Sequence, residues 1–590
     1  MLLTLLLTAI GSTVSQPAPV HSNYLLTLTP KDAVAVLAIG NIDDWRSNSL
    51  KNSFCRFGQD EEVAKLIEHF TGNLMEEASR EFNLDQLLGS EFDEAAFLSA
   101  LNGSVVVFTQ LVDNNPENPI VGLMLELGDD RSGFDQLLGG LLERFKSEVV
   151  LSGSEHGGIQ IMSASGKNLQ EPFTVKIAEL GDAVVIVGSQ SDKAVGQSIT
   201  EVVDRWSGDN TDGGLLGTDD FKKARGAQDF DPHVEFHVNI GAFWDGLKAS
   251  GQLHGSPVPE SILNEIGQIT WLHGGASIGD GEQLDFQIAL SMPKEGLISS
   301  FRYLLGGIPV DLLKQVPRQS SSLSTVNLDY QGIFNMALDL LHSFAPDEFA
   351  KAQQALQGVA AMGIDIEGDF LNQLTGGQAN FSVEVPSSES SFGMASSMFG
   401  AVKGDSPVAS YGSAALIGLL DSARVETAVD NLVEMFWQQE VGSKIVNEHE
   451  IKSINFGMAG IHWAFTESSL LIGMQPTPIA EAIRMLDEGS ISVMDKGRFA
   501  DPILKNRKAT NFSIYETQDN LKSIIAGLQS ASRMLPMVSM MTGWKPPKGF
   551  PINPKTPWPS PSIVSRYFEG TIYSAFTWDE NSLRFRLSAE

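Results

Sequence analysis

The chain closes on Asn581–Glu590, NSLRFRLSAE, in which Leu583, Phe585 and Leu587 alternate with Ser582, Arg584, Arg586 and Ser588. Successive strand side chains point to opposite faces, so this period-two pattern predicts a half-buried β-strand. Nearly the same phrase, GEQLDFQIALS, stands at Gly281–Ser291. If both are final strands, what precedes them should also correspond.

It does, element by element. Phe97–Gly103 followed by the strand-like Ser104–Phe108 recurs as Phe370–Gly376 followed by Ala379–Val383. Each reads as a helix closed by glycine and then a strand. An apolar strand around Ile120–Leu127 leads to a helix with Phe134, Leu137, Leu138, Leu141 and Phe145 on one face. Its counterpart, Ala414–Leu420, leads to Val425, Val429, Leu432, Val433 and Phe436 at the same helical spacing. Glu155-His156 and Glu448-His449 each sit in a turn entering a short strand. Hairpins over Phe173–Gly188 and Gly460–Gly473 then feed helices carrying Ile199, Val202 and Val203 or Ile479, Ile483 and Leu486. VEFHVNI at Val234 matches NFSIYE at Asn511.

The expected architecture is therefore α+β, with two tandem homologous modules at 24–294 and 323–590 and a connector at 295–322. Strands joined by short turns favour a largely antiparallel sheet in each module, packed with amphipathic helices.

Charge narrows the partners. In 590 residues, 40 basic against 73 acidic side chains leave a net charge of −33. That field repels nucleic acid and anionic headgroups, and no nucleic-acid partner is expected. Residues 1–16, within MLLTLLLTAIGSTVSQPAPV, read as an export signal too short to span a bilayer. No integral membrane segment is expected after its removal. The single cysteine, Cys55, cannot form an intramolecular disulfide. A large exported chain without disulfides suits a bacterial envelope, periplasmic or extracellular.

The stretch LTLTPKDAVAVLAIGN at Leu26–Asn41 resembles the start of exported bacterial tandem-module proteins of an uncharacterised domain-of-unknown-function family. These open with a Pro-x-Asp-Ala phrase before a strand, matched here by Pro30-Lys31-Asp32-Ala33 and absent from the second module. The resemblance implies the same exported, two-module layout and transfers no catalytic residue.

Candidates for chemistry are few. In Asp231–His237, DPHVEFH, alternation puts Asp231, His233, Glu235 and His237 on one strand face. His233 and Glu235 are the candidate metal ligands. His233 and His237 would stand roughly 13 Å apart at a strand's rise per residue, too far to share one ion. Gly275–Gly279, GASIG, matches a nucleophile elbow, but Asp280-Gly281 signals a hairpin rather than the strand-to-helix turn an elbow requires. A carboxylate beside histidine in the two Glu-His pairs could serve acid–base work, although polar residues are expected in such turns.

Two segments suit partner binding. Ser387–Pro407 carries Phe392, Met398 and Phe399 among Ser and Gly, and Gly543–Pro561 carries Trp544, Lys545, Phe550 and Trp558 among prolines. Proline stiffening also suits an intramolecular strap. Walker A, HExxH, GxGxxG and paired-cysteine motifs are missing, so no cofactor is expected. The expected function is non-catalytic binding or scaffolding, with a protein or small apolar ligand as partner. The alternatives are a metal-dependent enzyme or metal binder using the first module, and a carrier of an apolar ligand.

Overall fold

The computed structural model describes residues 24–70, 100–112, 115–128, 131–145, 149–166, 173–249, 260–386, 411–437, 440–456, 459–495, 497–543, 552–553 and 555–590. The expected export signal and the segment holding Phe392, Met398 and Phe399 lie outside these residues, as do Trp544, Lys545 and Phe550.

The fold is α+β. In the first half the strands are β1 (Ala35–Ile39), β2 (Leu101–Val112), β3 (Asn115–Leu127), β4 (Val149–His156) and β5 (Ile159–Gly166). They continue with β6 (Thr174–Leu180), β7 (Ala183–Ser189), β8 (Val234–Asn239), β9 (Trp271–Ile278) and β10 (Leu284–Ser291). The second half supplies β11 (Ser322–Asn327), β12 (Leu374–Glu384), β13 (Tyr411–Leu419), β14 (Gly442–Val446) and β15 (His449–Phe456). It ends with β16 (Ala459–Phe465), β17 (Ser469–Gly473), β18 (Asn511–Glu516), β19 (Thr571–Trp578) and β20 (Ser582–Ala589).

Every ladder between these strands is antiparallel. The first half runs β4-β5-β6-β7-β3-β2-β1-β8-β9-β10. The second runs β14-β15-β16-β17-β13-β12-β11-β18-β19-β20. β10 then pairs with β20, so one sheet of 20 strands passes through both halves. Its two ends are the corresponding strands β4 and β14.

The register agrees as well as the order. Val36 lies opposite Phe108 and His237; Leu323 lies opposite Phe381 and Ile514. Phe108 and Phe381 are both fully buried. A register shift falls between Leu101 and Val105 in β2, and between Leu374 and Gln378 in β12. The glycine expected to close a helix in the second half is instead part of this irregularity. Gly376, at φ 91°, lies within β12, and only short helical turns at Ile366–Phe370 and Leu371–Gln373 precede it. A left-handed residue at a strand's start absorbs the extra chain length of a bulge.

Helices cover the sheet. α1 (Ile42–Lys51) is capped by Asn41, whose side chain accepts from Asp43 and Asp44 N–H. α2 (Asp192–Ser207) presents Val195, Ile199, Val202 and Val203 to the core, and ends at Gly208 with φ 84°. α3 (Asp219–Gly226) packs against β9 and β10 through Phe221 and Ala224. In the second half α4 (Pro476–Glu488) buries Ile479 and Ile483, and α5 (Ala500–Lys505) buries Ile503. α6 (Thr517–Thr542) runs from β18 beside the Pro561–Arg566 turn. No helix among the described residues is long and apolar enough to cross a membrane.

One close contact tests this packing. A Cβ on Gly122 would lie 2.0 Å from Cζ of Phe108, its cross-strand neighbour. The corresponding neighbour of Phe381 is Ala414, so the second half has made room for a methyl that the first has not. Gly122→Ala is expected to destabilise the first half by about 1–3 kcal/mol through overpacking, measured by chemical denaturation.

Candidate ligand site at the junction of the halves

Superposing the two repeated phrases, Leu284 on Leu583 and Phe286 on Phe585, places Gln287 on Arg586. These two are direct cross-strand partners in the β10–β20 ladder. The halves therefore meet about a point between corresponding residues, as the subunits of a two-fold dimer do. Gln287 shares its sheet face with Asp285, Ala289, Arg584, Arg586 and Ser588.

Alternation marks this as the polar face, yet Gln287, Ala289 and Ser588 are almost wholly buried. The reason is tertiary. The loop after α3 reaches over the sheet, with Gln287 Nε2 donating to Ala227 O at 2.5 Å and Arg584 Nη1 donating to the same carbonyl at 3.3 Å. The loop after α5 approaches from the other half. Between them lies a cavity of ≈ 350 Å³. Ala575, Thr577 and Gln287 line it together with Asp229 and the cations Lys505, Arg507, Lys508, Arg584 and Arg586.

Most of the cations are partly engaged. Arg586 Nη2 donates to Asp285 at 2.7 Å, and its Nη1 lies 3.8 Å from Asp229. Burial works against the Arg586 charge, but the Asp285 bond and neighbouring acidic groups more than offset it, so its pKa is raised. Arg584 lies 3.4 Å from Asp229 and also pairs with Asp579, while its Nε is buried without a hydrogen-bond partner among the described residues. Lys505 reaches Glu590 at 3.1 Å. Arg507 and Lys508 are exposed and make no ion pair among the described residues. A second cavity of ≈ 350 Å³ lies in the second half beside Tyr303, Asn327, Asp329, Tyr330 and Asn372, with no basic side chain in its lining.

The candidate metal ligands have separate surroundings. His233 Nδ1 accepts from Ile278 N–H at 3.2 Å and lies 3.0 Å from Ser277 Oγ, with the ring edge-on to Trp45. Glu235 points into a buried group with His237 and His273. Its Oε1 lies 3.3 Å from His273 Nε2 and 3.4 Å from Arg225 Nε, yet has no well-directed hydrogen bond among the described residues. Among the described residues, no three His, Cys, Asp or Glu side chains are placed to hold a metal ion.

His237 and His273 are cross-strand partners with ring centroids 5.6 Å apart, and Phe221 lies edge-on to both. Burial raises the Glu235 pKa to about 7, an effect Arg225 opposes and Asp231 reinforces. Burial also lowers His237 to about 4 and His273 to about 3, the latter helped by repulsion from His237 and Arg225. At the matching register positions of the second half stand Phe512, Ile514 and Tyr573, all buried. The fold does not require the polar trio.

The remaining candidates resolve locally. Ser277 lies within β9 of a β9–β10 hairpin, away from any strand-to-helix elbow. The two Glu-His pairs are not at matching places. His156 ends β4 and lies opposite Ile159, whereas His449 begins β15 and lies opposite Val446. Each histidine instead meets a helical aspartate, His156 with Asp204 at 2.6 Å and His449 with Asp487 at 3.4 Å. Trp558 is half-buried against its own chain, donating to Ser532 Oγ at 3.2 Å, with Phe70 at a 6.0 Å ring distance.

The sequence reading missed the basic wall of the cavity. Its signal was Lys505-Asn506-Arg507-Lys508, three cations in four residues of an acidic chain, together with Arg584 and Arg586 in the last strand. The chain has no match among protein-family models, curated proteins or solved structures.

Proposed function

We propose that this is an exported, non-catalytic binding protein of a bacterial envelope, formed by duplication and fusion of one α+β unit, with its ligand held in the cavity between the copies. The observation that carries the reading is the β10–β20 ladder. Corresponding strands meet there about corresponding residues, and a small-molecule-sized cavity opens over their meeting point. Duplication supplies two loops facing each other at that point, and divergence has made one acidic, with Asp229 and Asp231, and the other basic, with Arg507 and Lys508. Such a site binds by charge and shape. Among the described residues, the cavity lining contains no serine, cysteine or histidine.

Native mass spectrometry of gently purified full-length protein tests this. A small molecule should be retained at one per chain, and Thr577→Trp, which fills the cavity, should release it. Protein that emerges free of ligand, or a ligand that survives Thr577→Trp, would remove the reading.

A further inference from the structure

We infer that the junction cavity recognises a small anion bearing two or more negative charges on phosphoryl or carboxylate groups. This rests on the reading of the junction as the binding site and adds the chemical class of its ligand. On a chain of net charge −33, five cationic side chains line one ≈ 350 Å³ cavity, against a single carboxylate among the described lining residues. That volume suits a metabolite-sized ligand and is too small for a folded partner.

Their donors are not used up. Arg507 and Lys508 are exposed and stand without ion pairs among the described residues. Arg584 and Arg586 each direct Nη1 towards Asp229, and guanidinium nitrogens suit the oxygens of a carboxylate or phosphate.

Asp229 shows how such a group would sit. Its carboxylate faces both arginines from the opposite half at 3.4 Å and 3.8 Å. Charge-assisted hydrogen bonds close to about 2.7–2.9 Å, so these are loose pairs. Asp229 is also exposed, and exposed pairs of this kind contribute little stability. It therefore acts as a stand-in carboxylate that a stronger anion displaces, with Arg507 and Lys508 adding the charge that Asp229 alone does not satisfy.

The two ends of the site give opposite signs in one experiment. Intact protein is titrated calorimetrically at low ionic strength with inorganic phosphate and, separately, with citrate. Saturable binding of at least one probe, near one per chain and weakening as salt rises, is expected. The preferred probe tells phosphoryl from carboxylate ligands. Arg507→Gln combined with Lys508→Gln alters only exposed side chains and should weaken binding roughly tenfold or more. Asp229→Asn, which removes the competitor, should tighten it roughly threefold to tenfold. Neither probe binding, or binding indifferent to both changes, overturns the anion assignment. If native mass spectrometry still finds an uncharged ligand expelled by Thr577→Trp, the junction reading survives that failure; if it finds none, both fall.

Discussion

His237→Ile is expected to leave the first half equally stable above pH 6.5 and to make it more stable than the native protein as pH falls, by about 3 kcal/mol near pH 4. Burial holds the folded-state pKa of His237 near 4, whereas the unfolded chain takes up its proton near 6.5. Between those values the unfolded state binds more protons, so acid favours unfolding by up to about 1.4 kcal/mol per pH unit for each such histidine. His273, held near 3, adds the same slope over a longer window, and loss of His237 also relieves the repulsion that helps hold it there.

Isoleucine occupies the matching position of the second half as Ile514, so the substituted side chain has a precedent on the same sheet. Glu235→Gln should show the reverse profile. The folded carboxyl keeps its proton up to about pH 7 and the unfolded one loses it near 4.5, so stability is fullest below 4.5 and declines as pH rises. Glutamine should match the native protein at pH 4 and exceed it by about 3 kcal/mol at pH 8. Hydrogen exchange of β8 and β9 amides across this range reads both effects without requiring the whole chain to unfold in one step. Parallel pH profiles for the two variants would show that burial does not govern these groups.

How much of this was legible beforehand depends on which forces are local. The alternation in NSLRFRLSAE and the apolar spacing of Val195, Ile199, Val202 and Val203 follow from strand and helix periods, so strands, helices and the α+β class could be read directly. Which face of a strand is buried is set by what folds over it. The polar face of β20 lies under the loop at Ala227 and the loop at Lys505–Ala509, segments distant in sequence from each other and from β20 itself. Alternation alone therefore could not show that Arg584 and Arg586 line a cavity.

The surroundings of Glu235 were hidden for the same reason. DPHVEFH looked like a solvated or metal-binding face because its polar residues alternate, but β1 and β9 flank β8 and Phe221 covers it, so Glu235 and His237 are buried. His233, one step before the strand, turns to Ser277 and Trp45 instead. Glu-His pairs that look interchangeable as dipeptides separate once hairpin register puts His156 before its turn and His449 after its own.

Leu587→Pro should unsettle both halves of the molecule, although it changes only the last strand. Leu587 lies opposite Phe286 on one side and Ser574 on the other, which makes β20 an interior strand between β10 and β19. Proline there removes a backbone donor and crowds the chain, and interior strands do not tolerate it. A loss of about 3 kcal/mol or more is expected. Its reach is the more informative quantity. The halves share eight paired positions along β10–β20. They also share ring contacts of Phe54 with Phe568 at 4.7 Å and Phe57 with Tyr567 at 5.7 Å, and a Tyr567 hydroxyl bond to Asp60 at 2.8 Å. Those contacts tie the residues after the Pro561–Arg566 turn to Phe54–Asp60 of the first half, and Ile525 of α6 packs in the same cluster with Ile563 and Val564. The seam should therefore unfold as one unit with the strands beside it. Hydrogen exchange in Leu587→Pro should quicken in β9 and β8 of the first half as well as in β19 and β18 of the second, while β4 and β14 at the far ends change least. Exchange that quickens only on the second side of the seam would mean that the halves fold independently, leaving the cavity between them without a rigid frame to hold its opposed charges in place.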